Sequence, residues 1–299
     1  MNKAMVKNPE SAIIVGCGYV GSRVAAVWQK RGMRIFVITR SEIKAGAFAA
    51  AGMTPIVLDL SQATSLPQLP DADTLLWSVG FDRSPGASRD AIWIDGLQRI
   101  LSALPARIEP RRILYTSSTS VYGDGSGQVV DEYTRPNPAT EGGKACLAAE
   151  QLLQEYEARH SACLSILRLA GIYGPDRLLR RISDLQKSVP ITSLPDEWLN
   201  LIHVDDAVTA IDRISVLESP PPPVINVVAS ETVTRRTYYS TLASMANTPP
   251  PVFEESLSVP HPQVSRCGGN RRVVSVLRTV LNVNFQFDSI FDGLRHAIR

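Results

Sequence analysis

The stretch Ile13–Ala25, "IIVGCGYVGSRVA", decides the fold. Three β-branched residues run into Gly16, and Gly18 and Gly21 complete a G-x-G-x-x-G spacing that opens directly into a helical pattern. Gly16 allows the tight turn, Gly18 lets backbone approach a pyrophosphate, and Gly21 permits close packing of helix on strand. The helix N–H groups and dipole then meet the anion. A dinucleotide-binding turn is expected here, with Tyr19 and Val20 lining the cofactor. The plainer alternative is a glycine-rich turn without a ligand.

Working outward, short β-rich apolar runs recur at 12–16, 34–39, 54–59, 74–80, 112–118, 164–171 and 224–229, most of them separated by helical patterns. Strands alternating with helices and lacking hairpin signals imply an α/β fold with a doubly wound parallel sheet. The expected division is a Rossmann domain over 10–173 and a small substrate lobe over 174–299, with 201–230 returning to complete the sheet. The proline runs Pro220–Pro223 and Pro249–Pro251 read as rigid connections. Asp95 and Gly96 open a helix pattern whose apolar face should pack on the sheet.

The second run ends "VITRS". An acid at this place would accept an adenosine ribose 2′-hydroxyl, but the chain has Thr39 and Arg40. A guanidinium without a carboxylate suits a 2′-phosphate, so NADP is favoured over NAD, with Arg40 as the main contact and Ser41 as a helper. The missing acid also argues against FAD. Asp59 reads equally as an acceptor for the adenine amino group or as a loop acid. Val79, at the end of "TLLWSVG", is expected to line the cofactor.

Further on comes "ILYTSSTSVYGDGSGQVVDEYTRPNPATEGGKACLAAEQLL", then "LRLAGIYGPDRL" (167–178), "LNLIHVDDAVTAI" (199–211) and a tail from Gly268 to Leu294. In this order the segments resemble the short-chain dehydrogenase/reductase superfamily, in the extended and atypical branch of NAD-dependent epimerase/dehydratase proteins. The resemblance implies that Ser118, with Ser117 and Ser120 as neighbours, holds a substrate oxygen. It also implies that Lys144 binds the nicotinamide ribose. The family's proton-transferring tyrosine would stand at Thr140, and none of the six lysines has a tyrosine four residues before it. A threonine hydroxyl stores no proton near neutral pH, so ordinary family catalysis should be impaired if Thr140 alone replaces the tyrosine. Tyr122, Tyr133, Tyr173 and Glu141 are substitutes in principle. Packing, loop and helix-dipole roles explain them more simply.

Other groups have two readings each. Arg168 would touch a phosphate or substrate, or form an internal salt bridge. His203, Asp205 and Asp206 suggest metal ligands, yet an aspartate opening a helix is more often a cap, and no metal is expected. Cys17 reads as a small filler beside the helix N-terminus. His160 and His296 read as surface residues. Arg177, Arg180, Arg181 and Lys187 offer an anionic grip or a solvated face.

Composition limits the rest. The 299 residues are 44% hydrophobic and 20% charged, and 31 basic against 29 acidic residues leave a net charge of +2. No single-sign block points to nucleic acid or a membrane surface. Cys17, Cys146, Cys163 and Cys267 are too scattered for a disulfide framework or metal-ligand pairs, which suits a reducing cytoplasm. The first apolar run is too short for a signal peptide. Two functions remain open. One is an NADP-dependent oxidoreductase or epimerase-like enzyme acting on a small hydroxyl or carbonyl compound such as a nucleotide sugar. The other is a catalytically silent NADP(H)-binding sensor or scaffold. Either could be a monomer or a homodimer.

Overall fold

The structure, a computed structural model, describes residues 9–62, 66–80, 88–107, 111–218, 220–254 and 269–298. The first half alternates strand and helix. It runs β1 (Ser11–Val15), α1 (Gly21–Lys30), β2 (Arg34–Thr39), α2 (Glu42–Ala50), β3 (Thr54–Val57) and β4 (Thr74–Trp77). A π-helical turn (Ala91–Gly96) leads into α3 (Leu97–Ala103), followed by β5 (Arg111–Ser118) and a 3-10 turn (Thr119–Tyr122). Next come β6 (Val129–Val130), α4 (Glu141–Arg159), β7 (Ala162–Leu169), β8 (Gly171–Tyr173) and α5 (Leu179–Gln186). The chain continues through β9 (Trp198–Leu199), β10 (Leu201–His203), α6 (Val204–Ser215), β11 (Val224–Val227), β12 (Val233–Thr234) and α7 (Arg235–Met245). β13 (Arg272–Val273), a 3-10 turn (Arg278–Leu281) and α8 (Ile290–Ala297) complete it.

Seven strands form one sheet in the order β11-β7-β5-β4-β1-β2-β3. β1 pairs in parallel with both β2 and β4, and β2–β3 and β4–β5 are also parallel. The order reverses at β1. That reversal is the switch point at which doubly wound sheets bind ligands. Every residue of β1, β4 and β7 is buried, as expected of parallel strands covered on both faces. Leu97, Ile100 and Leu101 of α3 join the core with Ile13, Val15, Leu75 and Trp77, so the predicted apolar face does pack on the sheet.

The described chain divides into two compact units. The first comprises the residues up to Ser117, Lys144–Arg168 and Ala210–Ile225, and the second Ser118–Gly143, Leu169–Thr209 and Asn226–Arg299. This division differs from the sequential boundary expected at residue 174. The second unit gathers stretches that follow different strands of the sheet, residues 118–143 after β5 and 169–209 after β7 among them, so its members are not neighbours in sequence. The second unit has its own core of Tyr173, Leu178, Leu185, Tyr238, Leu242 and Leu294. Three two-stranded ladders, β8–β10, β9–β12 and β6–β13, supplement it.

Candidate functional site

The turn after β1 is shaped by backbone proximity. Gly16 has φ +85, and a Cβ there would lie 2.6 Å from the backbone of Val79. A Cβ on Gly21 would meet the Gly16 carbonyl at 2.5 Å. Gly18 behaves differently, because a Cβ on it would meet nothing within 4 Å. Thus two glycines serve the chain's own packing, and the third borders open space that a ligand backbone approach requires. No side chain caps the amino end of α1, and its first turn carries no acid, which leaves it suited to an anion. Ser78, which sequence reasoning missed, donates its hydroxyl to the Gly16 carbonyl at 2.8 Å. Arg23, also missed, donates to the Tyr19 carbonyl at 2.8 Å and lies over the Tyr19 ring at 4.1 Å. Val20 is buried and Val79 is half-buried. Burial pushes the Cys17 thiol up to about 12, against a lowering influence of Lys44, so this side chain is a neutral filler.

Arg40 is exposed at the end of β2. Asp59 is its neighbour across the strand ends, because the Leu58 N–H donates to the Thr39 carbonyl at 2.9 Å. The Asp59 carboxylate accepts from both the hydroxyl and the N–H of Ser61, at 2.7 and 2.9 Å. Those bonds, helped by the Arg40 charge and opposed by partial burial, hold its carboxyl below the usual range. Thr39 Oγ1 accepts from the Ser41 N–H at 3.3 Å. Ser41 is the N-cap of α2, its hydroxyl accepting from the Lys44 N–H at 3.3 Å.

The start of α4 lies in the second unit. The Thr140 hydroxyl accepts from the Gly143 N–H at 3.1 Å, so this residue caps the helix. The Ser118 hydroxyl accepts from the Ser120 N–H at 3.1 Å and opens the 3-10 turn. These two segments touch, since a Cβ on Gly143 would lie 2.7 Å from the Ser120 carbonyl. Lys144, where the first unit resumes, is exposed one turn into α4, and Glu141 is exposed beside it. The tyrosines have other surroundings. Tyr122 donates to Asn226 Oδ1 at 2.8 Å, Tyr133 is exposed, and burial raises the Tyr173 hydroxyl far above its ordinary range.

Of the two readings for Arg168, the structure shows the internal ion pair. Its Nε and Nη2 donate to the two oxygens of Glu150 at 3.1 and 2.7 Å. The Ser117 hydroxyl adds a 2.5 Å bond to the same carboxylate. Glu150 was also missed; its only sequence signal is an acid among the small and apolar residues of "CLAAEQLL".

In the second unit His203 is wholly buried, and its Nδ1 accepts from the Asp205 N–H at 3.2 Å. That bond puts the ring proton on Nε2, which stands 3.3 Å from His296 Nδ1. His203, Asp205 and His296 offer ligand atoms within 4.8 Å of one another, a grouping with His296 in place of Asp206. His296 is half-buried against this cluster, unlike the surface residue expected, whereas His160 is exposed. The Asp206 carboxylate accepts from the Gln286 and Phe287 N–H groups at 2.7 and 2.9 Å and so ties down the C-terminal segment. Arg177, Arg180 and Lys187 are exposed, and Arg181 lies 5.3 Å from the Tyr238 ring centroid. Among the described residues no helix is long and apolar enough to cross a membrane. Cys267 lies outside them.

Comparison with known proteins agrees with this geometry. Residues 12–227 match the family described as NAD dependent epimerase/dehydratase family. Protein YeeZ of Escherichia coli strain K12 is 31% identical over 252 residues, covering 82% of this chain and 86% of that protein. A functionally unknown conserved protein from Silicibacter pomeroyi has a TM-score of 0.74 at 26% identity, covering 95% of this chain and 96% of the other. The UDP-glucuronic acid 4-epimerase of Bacillus cereus, solved with UDP-glucuronic acid and NAD, has a TM-score of 0.76 at 20% identity, covering 96% and 98%. The glycine turn at the switch point, the seven-stranded sheet and the match over most of the sheet-forming chain together place this protein in the NAD-dependent epimerase/dehydratase family.

Proposed function

We propose that the chain binds a nicotinamide dinucleotide at the Gly16 turn and acts as an NADP-dependent oxidoreductase or epimerase-like enzyme on a small hydroxyl or carbonyl compound. The observation that carries this is the open space at Gly18, beside a helix end that lacks both a capping side chain and an acid. Such a cradle fits a pyrophosphate. Arg40 supports NADP, because the end of β2 offers a guanidinium where an NAD site has an acid. Nucleotide sugars are the favoured substrate class, since a UDP-sugar is bound by the Bacillus cereus neighbour.

When bound, the nicotinamide supplies or accepts a hydride. The chain's own groups orient and polarise. Lys144 is the ribose anchor. The Ser118 and Thr140 hydroxyls each accept one backbone N–H and keep an O–H to donate to a substrate oxygen. Neither can hold a proton in reserve as a phenol does, so the proton exchanges with water and turnover is slow.

Calorimetric titration with NADPH and NADH tests this reading. The parent chain is expected to bind NADPH about tenfold or more tighter than NADH, and Arg40→Ala to abolish that preference by removing a charge-assisted contact. Tighter NADH binding would overturn the NADP assignment, and binding of neither would overturn the nucleotide site.

A further inference from the structure

We propose that Glu150 is a positioning residue: with Ser117 and Arg168 it sets the register of α4 on β5 and β7, and so fixes where Lys144 stands. The inference rests on the nucleotide reading above for its functional consequence, but its structural content is independent of it.

The buried positions of α4 are Gly143, Ala145, Cys146, Ala149, Glu150 and Leu153. Leu153 alone among them is a large apolar side chain. Leu152 and Tyr156 pack half-buried beside Leu153 towards the far end of the helix, but its first turns bury only glycine, alanine and cysteine, whose low ridges interdigitate little. Glu150 supplies what that face lacks. It is 1% exposed, and its partners Arg168 and Ser117 are 4% and 5% exposed. The guanidinium grips both carboxylate oxygens, and the Ser117 hydroxyl shares Oε1 with it. Three elements therefore meet at one planar group whose bonds are directional. A shift of α4 by one residue would break the carboxylate's bonds to Arg168 and Ser117 and leave the Glu150 charge buried without them, which packing cannot compensate.

Stability is a poor explanation for the cluster. Apolar residues of similar volume in place of a buried ion pair often leave a protein equally or more stable. What they do not supply is register. Lys144 lies six residues before Glu150, about 9 Å along the helix axis, on the same rigid rod. Cys146 shares the anchored face. Burial, with the Glu150 charge beside it, raises its thiol to about 11 against the lowering influence of the Tyr115 and Ser117 hydroxyls, so it stays neutral.

The test is a full-length variant carrying Glu150→Leu with Arg168→Met, compared with the parent by thermal unfolding, amide exchange without nucleotide, and NADPH titration. The expected result is a melting temperature close to the parent's, with exchange in the first two turns of α4 about tenfold faster. NADPH affinity should fall about tenfold, and Lys144→Met should weaken binding in the parent but add no further loss in this background. Parental exchange and parental affinity would overturn the proposal. If the double variant does not fold, Ser117→Ala asks the same question with the charges still paired. Faster exchange confined to the start of α4 would support the register role, and parental exchange would overturn it. A parent that binds no nucleotide, with accelerated exchange in the variants, would sink the nucleotide site and leave the register role standing.

Discussion

At the scale of single residues, Thr140 is explained first by helix formation. Two glycines follow within three residues, both poor helix formers, and the threonine hydroxyl secures the first turn by accepting from Gly143. Thr140→Ala should cost about 1 kcal/mol and lower the melting temperature by about 2–4 °C, while Thr140→Ser should be neutral. Thr140→Tyr loses the same cap but adds a phenol. With NADPH and a panel of carbonyl substrates, it should therefore combine the lower melting temperature with a reductase rate raised about a hundredfold. An unchanged rate in the folded variant would remove position 140 from the proton path. Ser41 follows the same local logic. Its hydroxyl caps α2 by accepting from the Lys44 N–H.

At the scale of the element, the β1–turn–α1 unit contains glycines of two kinds, and substitutions should separate them. Gly16→Ala forces a side chain into φ +85 against the Val79 backbone. The dihedral alone costs about 1–2 kcal/mol, and the contact adds to it. Gly18→Ala meets no protein atom, so its melting temperature should match the parent's while NADPH binding is lost. Equal destabilisation by both, read by thermal unfolding, would reduce the motif to an ordinary turn. The same unit shows what sequence spacing conveys. The three glycines are legible because their spacing is a pattern within six residues of the chain, although the contact that constrains Gly16 comes from Val79. Ser78 and Arg23 were not, since one arrives from the end of β4 and the other is an arginine whose contact with Tyr19 no motif marks.

At the scale of the whole molecule, the second unit holds its C-terminal segment through Asp288, which receives Arg278 at 2.6 and 2.8 Å and the Ser230 N–H at 3.0 Å. Burial alone would raise this carboxyl, but the Arg278 and Ser230 bonds outweigh it and hold it below its ordinary value. A depressed carboxyl contributes stability above the unfolded value of about 3.9, and that contribution disappears as pH falls through the lower folded value. Amide exchange in α8 should accelerate over that acid interval in the parent, and the step should be missing in Asp288→Asn. The sheet itself was readable strand by strand, because parallel strands buried on both faces appear as unbroken apolar runs. The two-residue strands β6, β9, β12 and β13 are too short to leave any period. Sequence alone determined the alternation of strand and helix, the glycine turn after β1, the arginine after β2 and the lack of a tyrosine before Lys144, since each is a pattern within a short length of chain. Only the tertiary structure decided that Arg168 pairs with Glu150, that His203 faces His296 and that each unit gathers several separate stretches of chain. Those outcomes depend on which strands become neighbours in the sheet, and a buried charge finds its partner through space.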